Sequence, residues 1–426
     1  MSHCAKVSYP LVICGLVGLA TMVFFPQANG QINVQSQAQS PAIASVPEVA
    51  ASDARQEAAN SDADNVSLTL DQMRTLTDVM GHVQRDYVDP TTDAELLEDA
   101  IRGMLRGLDR YTVYLTKDQF KQLENDSRGR YGGIGIEVDW RGRKLEIVGI
   151  TDGGPADSAG LVVGDVIRSV EGIPITAEGP RIALERVRGP AGTPVRMVVA
   201  SRNQEPRKLV LTREVIRIIS VHGNLLDGGL AYLKIGNFQT GTEYRVRETL
   251  GELIEENAGP LSGLILDLRN NPGGVLGAAV GVSDLLLGEA TIVSTRGRDG
   301  DDLASYQSDA ADVLDGAPII VLVDKVSASA SEIVAGALKD NGRAAILGET
   351  TFGKGSVQTV LPLRNGGAIK ITTARYYTPA GHSIHGTGIE PDIAMDPKPG
   401  PDGIDRALLE ATKRLRQSEF ASARGN

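Results

Sequence analysis

Segments with the pattern of strands and segments with the pattern of helices alternate along the chain from Ile216 onward. The runs LAYLKIGNF, SGLILDLRN, APIIVLVDK and AAILGET have the length and apolar content of strands. Stretches with helical periodicity separate them, among them Thr242 to Glu256 and SASASEIVAGALKDNG, and SVQTVLPL with AIKITTARYYT predicts a hairpin. Such alternation is typical of an α/β core. We therefore predict a multidomain α/β protein with its core over residues 216–397 and a C-terminal helix and tail over 398–426.

Residues 128–215 consist of short β segments joined by Gly-rich turns, with one short helix near Ile182 to Val187. The order YGGIGIEV, KLEIVGI, DGGPADSAGLVVGDVIRSVEG, PVRMVVA and KLVLTRE resembles a PDZ domain. The resemblance implies that a loop before the second strand binds the terminal carboxylate of a peptide through backbone N–H groups. That loop would consist of Tyr131, Gly132, Gly133, Ile134 and Gly135. The alternative is an unspecialised β domain with ordinary hairpin turns.

The first 66 residues have the pattern of an export signal and a linker. Lys6 precedes an apolar run from Tyr9 to Phe25, and Ala28-Asn29-Gly30 offers small residues for signal peptidase cleavage. We predict a signal peptide over 1–30, with an uncleaved membrane anchor as the alternative, and a disordered linker over 31–66. The protein is then exported, to a periplasm or another extracytoplasmic face, and contacts a membrane only through an uncleaved signal.

Residues 67–127 are predicted to form an N-terminal helical region. Apolar residues recur at spacings of three and four from Leu70 to Val83, and a second helical stretch runs from Asp93 to Leu108. These helices would pack on the main body or on a second subunit, which gives a possible homo-oligomer.

Composition excludes several kinds of chemistry. The net charge is −11, so no basic stripe suggests nucleic-acid binding. Both cysteines, Cys4 and Cys14, lie in the predicted signal segment, which leaves the body without a thiol nucleophile, a disulfide or a thiolate metal site. No H-E-x-x-H motif is present, so we predict neither a metal nor a cofactor. His382 and His385 lack a clear partner set for a Ser-His-Asp triad and are predicted to be loop residues.

Ser329 stands in the string VSASASEIVAGAL. The Ser329-x-x-Glu332 spacing ahead of an apolar run is a capping-box pattern, which places Ser329 at a helix N-terminus. The serine could simply cap the helix. It would also suit a nucleophile, because free N–H groups of the first turn, beginning near Ala330, can bind an oxyanion.

Two further strings contain candidate residues. In FGKGSVQ, entry into a strand would place Lys354, Ser356 and Gln358 on one face; the alternative for Lys354 is an ordinary exposed lysine. In DLRNNPGG, Gly273 and Gly274 follow a buried strand, where ligands of α/β folds gather. Their backbone could supply an oxyanion donor, or simply form a tight turn.

The order and spacing of these strings resemble the carboxy-terminal processing, or tail-specific, serine peptidases, and TPAGHSIHGTGIEPD fits as well. The resemblance covers about residues 67–420. It implies a crotonase-like (ClpP/crotonase-type) core with an inserted PDZ domain, and an endopeptidase that cleaves exported proteins near their C-termini after capture of the tail. The implied catalytic residues are Ser329 as nucleophile, Lys354 as base and Gln358 as its orienting partner. The implied oxyanion hole combines Ala330 with Gly274 or its neighbour Gly273.

The implied mechanism makes a physical demand on Lys354. A lysine accepts a proton only when neutral, and its pKa must fall from about 10.4 to near 7, which corresponds to about 4 kcal/mol. We therefore expect Lys354 to be buried in the active state and hydrogen-bonded by Gln358. If the PDZ domain must move to create that pocket, substrate capture would also activate the enzyme.

Two other functions compete with proteolysis. One is a non-catalytic PDZ scaffold that binds protein tails on a peptidase-derived core. The other is an acyl-CoA enzyme of the crotonase type, disfavoured by export and by the lack of a catalytic carboxylate. The expected partners are proteins or peptides with accessible C-termini, with a possible adaptor or inhibitor.

Overall fold

A computed structural model describes residues 68–423 except 142–143, 202–203, 310 and 401. The predicted signal and linker, residues 1–66, lie outside these described residues. The chain divides into two compact units, Met1–Tyr87 and Val88–Asn426. No helix in the described ranges is long and apolar enough to cross a bilayer.

The described part of the first unit is one helix, α1 (Leu70–Asp86). Thr69 caps it in a reciprocal box: the Gln72 amide donates to Thr69 Oγ1 at 3.3 Å, and the Thr69 amide donates to Gln72 Oε1 at 2.8 Å. None of its residues is buried, although its apolar residues keep the helical spacing.

The second unit begins with α2 (Asp93–Arg106), β1 (Val113–Leu115) and α3 (Lys117–Ser127). The two predicted helices of this region are observed, but α3 was not anticipated individually. Its sequence KDQFKQLENDS has only two apolar residues, so its periodicity is weak, and Thr116 with Gln119 starts it by a capping box.

Next come eleven elements of the predicted PDZ segment and its flanks: β2 (Arg130–Gly133), β3 (Ile136–Arg141), β4 (Lys144–Ile150), α4 (Pro155–Ser158), β5 (Val166–Val170), β6 (Ile173–Pro174), α5 (Ile175–Glu178), α6 (Pro180–Val187), β7 (Pro194–Ala200), β8 (Arg207–Thr212) and β9 (Glu214–Arg217). An antiparallel sheet in the order β3-β4-β5-β7-β8 encloses a hydrophobic core of its own. Strand β2 pairs separately with β9, so the chain enters and leaves this segment through one two-stranded ribbon.

The remaining elements are β10 (Val221–Leu226), β11 (Leu230–Ile235), α7 (Thr242–Glu256), β12 (Gly263–Asp267), α8 (Leu276–Leu286), β13 (Ala290–Arg296), β14 (Asp302–Ser308), β15 (Ile319–Val323), α9 (Ala330–Asp340), β16 (Ala344–Gly348), β17 (Ser356–Pro362), β18 (Ala368–Tyr377), β19 (Ile393–Ala394) and α10 (Arg406–Ala423). The main sheet has the order β10-β11-β12-β15-β16-β19, parallel except at β10. Strands β12 and β15 are buried at every position because both faces are covered. Helices α7, α8 and α9 contribute to the core on one face, and α10 covers the other.

A second sheet has the order β1-β18-β13-β14, with β17 also paired to β18. The β17–β18 hairpin was predicted, whereas β13, β14 and β1 were not. Strand β1 pairs antiparallel with β18, with Val113 opposite Lys370. A segment that precedes the PDZ-like sheet in sequence therefore pairs with a strand that follows that sheet.

Candidate active site

Ser329 is the residue immediately before α9. Its backbone has φ of 54° and ψ of −113°, a region that costs free energy for any residue with a Cβ. Ser329 is half-buried, between the buried residues Ala328 and Ala330. The two neighbouring serines are fully buried: Ser327 Oγ donates to the Leu268 carbonyl and Ser331 Oγ to the Asn271 carbonyl, both at 2.9 Å. Of the three serines in this string, only Ser329 is accessible.

Gly273 packs directly against the accessible serine. A Cβ on Gly273 would lie 2.8 Å from Ser329 Cβ and 3.0 Å from the Ala330 nitrogen, so no other residue fits. The Gly273 amide donates to Asn271 Oδ1 at 2.9 Å. Among the described residues, the amides of Gly274 and Ala330 have no hydrogen-bond acceptor. The structure thus distinguishes the two glycines: the amide of Gly274 is free to bind an anion, and that of Gly273 is engaged.

Asn271 is a residue that the sequence analysis missed. Its side chain is fully buried and also donates to the Ile235 carbonyl at 2.8 Å. Its carbonyl accepts from the Ala328 amide at 3.1 Å and from Ser331 Oγ. Asn271 therefore joins the glycine loop to the serine loop. The string DLRNNPGG drew attention to its glycines, and nothing in the pattern marked which Asn faces inward.

Glu332 joins the serine to the lysine loop. This fully buried carboxylate accepts from the Ser329 amide at 2.7 Å, the Thr351 hydroxyl at 2.6 Å, and the amides of Gly353 and Lys354 at 2.6 and 2.9 Å. Burial raises the pKa of Glu332, while these four hydrogen bonds oppose the rise. The sequence analysis assigned Glu332 only to a helix cap. Its second role depends on residues 19 to 22 positions away, which a local pattern does not reveal.

Lys354 is half-buried in the loop before β17. Burial lowers its pKa, as does the positive charge of Lys370, while Glu332 raises it. Its Nζ lies 5.2 Å from the centroid of the Tyr111 ring. Among the described residues, Nζ has no hydrogen bond or ion pair.

The predicted hydrogen bond from Gln358 to Lys354 is absent from the described structure. Gln358 Nε2 instead donates to Ser356 Oγ at 2.9 Å and to Thr372 Oγ1 at 3.4 Å. The strand begins at Ser356, so Lys354 precedes the region where alternate residues share a face. The His382 and His385 side chains are exposed in a turn, as predicted. No group of described residues has the makeup of a metal site.

The predicted tail-binding loop is partly a strand. Tyr131, Gly132 and Gly133 lie in β2, opposite Ile216, Val215 and Glu214 of β9. Only Ile134 and Gly135 form the turn before β3, with Gly135 at φ of 74°. Of these two residues, Ile134 borders a cavity of about 760 Å³, which Tyr131, Leu184, Val187 and Arg188 also help to line.

An accessible serine at a helix N-terminus, amides beside it without an acceptor among the described residues, and a lysine of lowered pKa are the groups that a serine hydrolase requires for acyl transfer. Residues 229–395 match peptidase family S41, and residues 146–201 match the PDZ domain. The chain is 38% identical to a carboxy-terminal-processing protease of Bartonella bacilliformis, over 82% of this chain and 81% of that protein. It is 37% identical to a carboxyl-terminal-processing protease of Synechocystis sp., over 72% of this chain and 73% of that protein.

Among solved structures, the photosystem II D1 C-terminal processing protease matches with a TM-score of 0.50 and 32% identity, covering 78% of this chain and 90% of that one. The chain belongs to peptidase family S41, within the carboxy-terminal-processing group, and is a serine-type endopeptidase with a PDZ domain. This confirms the resemblance and the predicted fold class. A non-catalytic scaffold and an acyl-CoA enzyme are correspondingly disfavoured.

The Glu332 network yields a first prediction. We expect Glu332→Gln to reduce the initial rate of casein cleavage by about 10- to 100-fold, because the carboxamide cannot accept all four hydrogen bonds and the lysine loop shifts relative to Ser329. Glu349→Gln is the matched control, since Glu349 pairs with Lys325 at 2.9 Å on the surface. A wild-type rate in Glu332→Gln, with normal folding, would contradict the role of this network.

Proposed function

We propose that Ser329 is the nucleophile, Lys354 the general base, and the amides of Ala330 and Gly274 the oxyanion hole. The observation that carries this proposal is the accessible Ser329, whose backbone is tied through Glu332 to the loop that bears Lys354. Gln358 would act on the base through a substrate-bound rearrangement, because in this structure its amide binds Ser356 and Thr372.

In the proposed reaction, Ser329 Oγ attacks the scissile carbonyl carbon and its proton passes to the neutral Nζ of Lys354. The resulting oxyanion accepts hydrogen bonds from Ala330 and Gly274. Collapse breaks the C–N bond, and the Lys354 ammonium returns its proton to the leaving amine. Water, deprotonated by the same lysine, then hydrolyses the Ser329 ester and restores the enzyme.

We further propose that the PDZ domain captures the carboxyl terminus of exported substrate proteins. Its cavity combines apolar walls from Ile134, Leu184 and Val187 with the cation of Arg188, whose guanidinium lies 4.7 Å from the Tyr131 ring. An apolar tail ending in a free carboxylate complements both features. Capture would also bring the serine and lysine loops into register for proton transfer, so binding and activation would be coupled.

The charge of Arg188 supplies the second prediction. We expect Arg188→Ala to weaken binding of an apolar, free-acid peptide by about 5- to 10-fold, through loss of a charge-assisted contact. The same peptide with a C-terminal amide should bind both proteins equally. Arg196→Ala is the control, because Arg196 pairs with Glu171 on the surface. Fluorescence anisotropy measures both affinities, and equal weakening in the two variants would contradict the proposed carboxylate site.

Apolar residues on one face of α1 support a third prediction, self-association: Met73 and Leu76 are exposed, and Met80 and Val83 are half-buried. Met73, Leu76, Met80 and Val83 follow an alternating three-four spacing, the pattern of a helix–helix seam. We propose that a second copy of this helix covers them. Met73→Glu with Leu76→Glu should convert the oligomer into a monomer in sedimentation, whereas Asp78→Lys on the opposite face should not. A monomeric wild type would remove the proposal.

The apolar run Tyr9–Phe25 and the small residues at 28–30 support export to a periplasmic or extracytoplasmic location. Fractionation of cells that produce the full chain tests this. Recovery of the protein only with soluble cytoplasmic markers would contradict export.

A further inference from the structure

Tyr111 belongs to the segment between α2 and β1, far in sequence from the serine and lysine loops. Asp109 shapes the turn that presents it: Asp109 Oδ1 accepts from the amides of Tyr111 and Thr112 at 2.6 and 2.8 Å. The buried Thr112 Oγ1 donates to Asp109 Oδ2 at 3.1 Å and accepts from the Thr372 amide of β18 at 3.2 Å. Tyr111 is therefore anchored to the same strand whose Thr372 contacts Gln358.

The Tyr111 ring is the group that the Lys354 amine faces. Nζ lies 5.2 Å from the ring centroid, and no described polar side chain or carbonyl accepts a hydrogen bond from it. Arg110 strengthens this arrangement. Its guanidinium donates to Tyr111 Oη at 2.6 Å and lies 5.6 Å from the ring of Phe352, two residues before Lys354. The segment thus contacts the lysine loop at two places.

We propose that Tyr111 is a positioning residue for the general base: its ring forms a wall of the Lys354 pocket, so the segment ahead of the PDZ domain completes the active site. The proposal rests on Lys354 being the base, as stated under the proposed function. Tyr111 lies outside residues 229–395, the range that matches peptidase family S41, so the proposal extends the active site beyond that range.

The ring has two opposing effects on the amine. As an apolar cover it excludes water and favours the neutral form, which lowers the pKa of Lys354. As a π-face it attracts the ammonium, an effect worth less than about one pKa unit at a partly exposed site. Burial is the largest cause of the lowered pKa of Lys354, and the Tyr111 ring, 5.2 Å from Nζ, is part of what covers the amine.

The remaining charges around Lys354 come from β18, from α9 and from the segment that carries Tyr111. Lys370 on β18 lowers its pKa, and Glu332 on α9 raises it. Arg110 supplies a further positive charge, with its guanidinium carbon 4.8 Å from the centroid of the Tyr111 ring. Within the described structure, Lys370 and Glu332 make no hydrogen bond with Tyr111, whereas Arg110 loses its acceptor when the tyrosine hydroxyl is removed. Tyr111→Phe removes that hydroxyl and keeps the ring, so it separates the Arg110 contact from the apolar cover.

The test measures the pKa of Lys354 in the full-length protein independently of turnover. Each variant is pulse-labelled with acetic anhydride across a pH range, and mass spectrometry follows acetylation of Lys354. Tyr111→Ala should raise the pKa by about one unit, because water reaches the amine. Tyr111→Leu keeps an apolar cover and should leave the pKa equal to or slightly below that of the wild type. Tyr111→Phe should match the wild type.

Casein cleavage by the same proteins completes the test. In Tyr111→Ala the acid limb of the kcat/KM profile should move to higher pH by the same amount as the Lys354 pKa. Tyr111→Phe should retain the wild-type pH profile. Tyr114→Leu is the matched control, since that ring lies 5.5 Å from Arg102; it should lower thermal stability without moving the pH profile.

An unchanged Lys354 pKa in Tyr111→Ala, or equal upward shifts of that pKa in the alanine and leucine variants, would overturn the proposal. Retained cleavage in Lys354→Ala would overturn the proposed function and this inference together, whereas loss of cleavage there with no Tyr111 effect would overturn only the inference.

Discussion

Replacement of Ser329 by alanine should reduce kcat for casein cleavage by at least about 10³-fold, the scale seen when a serine peptidase loses its nucleophile. The change removes only Oγ, because the Ser329 amide and carbonyl make the contacts that hold this residue at the start of α9. We therefore expect the melting temperature to change little, and it should rise if the alanine variant no longer cleaves itself.

Ser331→Ala is the matched control for that result. It deletes a buried hydroxyl that donates to the Asn271 carbonyl at 2.9 Å, so it should cost about 1 kcal/mol of stability and leave most of the activity. The two serines are two positions apart in the same string, and a general effect of the substitution would appear in both. If Ser331→Ala lost cleavage and Ser329→Ala retained it, the assignment of the nucleophile would be wrong.

Replacement of Lys354 by methionine should have an effect of similar size, about 10³-fold or more in kcat. Methionine fills the half-buried pocket but cannot accept the serine proton. In the wild type the neutral amine is the active form, which fixes the sign of the pH dependence, and burial, by lowering the pKa of Lys354, moves the acid limb to lower pH. Below that pKa, kcat/KM should rise about tenfold per pH unit and then level off.

Lys339→Met is the control for the lysine substitution, because Lys339 donates to the Glu390 carbonyl and pairs with Asp392 at 3.0 Å outside the site. Stopped assays on fluorescent casein across the pH range measure both variants. A Lys354→Met enzyme that keeps the wild-type rate and the same acid limb would show that another group is the base.

How much of this the sequence could predict varies with the range of the contacts involved. Periodicity placed Thr242–Glu256 as a helix and β17–β18 as a hairpin because each signal is local. It missed β13 and β14, where apolar and polar residues do not alternate cleanly over the full length. The loop Tyr131–Gly135 was misplaced in part, since Gly-rich sequence marks tight approach of the backbone and does not tell a turn from a strand that packs closely.

In the candidate site, too, local patterns were predictable from the sequence and long-range contacts were not. Ser329 and Gly273 lie in recognisable strings, whereas the contact between them is visible only in three dimensions. Glu332 could be assigned to a cap from its spacing to Ser329, but its bonds to Thr351, Gly353 and Lys354 come from a loop about 20 residues later. Tyr111 is more than 200 residues from Lys354 in the chain, and no local pattern associates them.

The ribbon formed by β2 and β9 has a consequence for how such an enzyme can diversify. Because the chain enters and leaves the tail-binding sheet through adjacent, paired strands, everything between Gly133 and Glu214 is an insertion whose two ends already meet. That insertion has its own hydrophobic core and contains none of the residues assigned to bond cleavage. Recombination within the ribbon could therefore replace the whole segment between Gly133 and Glu214 by another PDZ domain. A change in substrate choice could then arise without altering any residue assigned to bond cleavage.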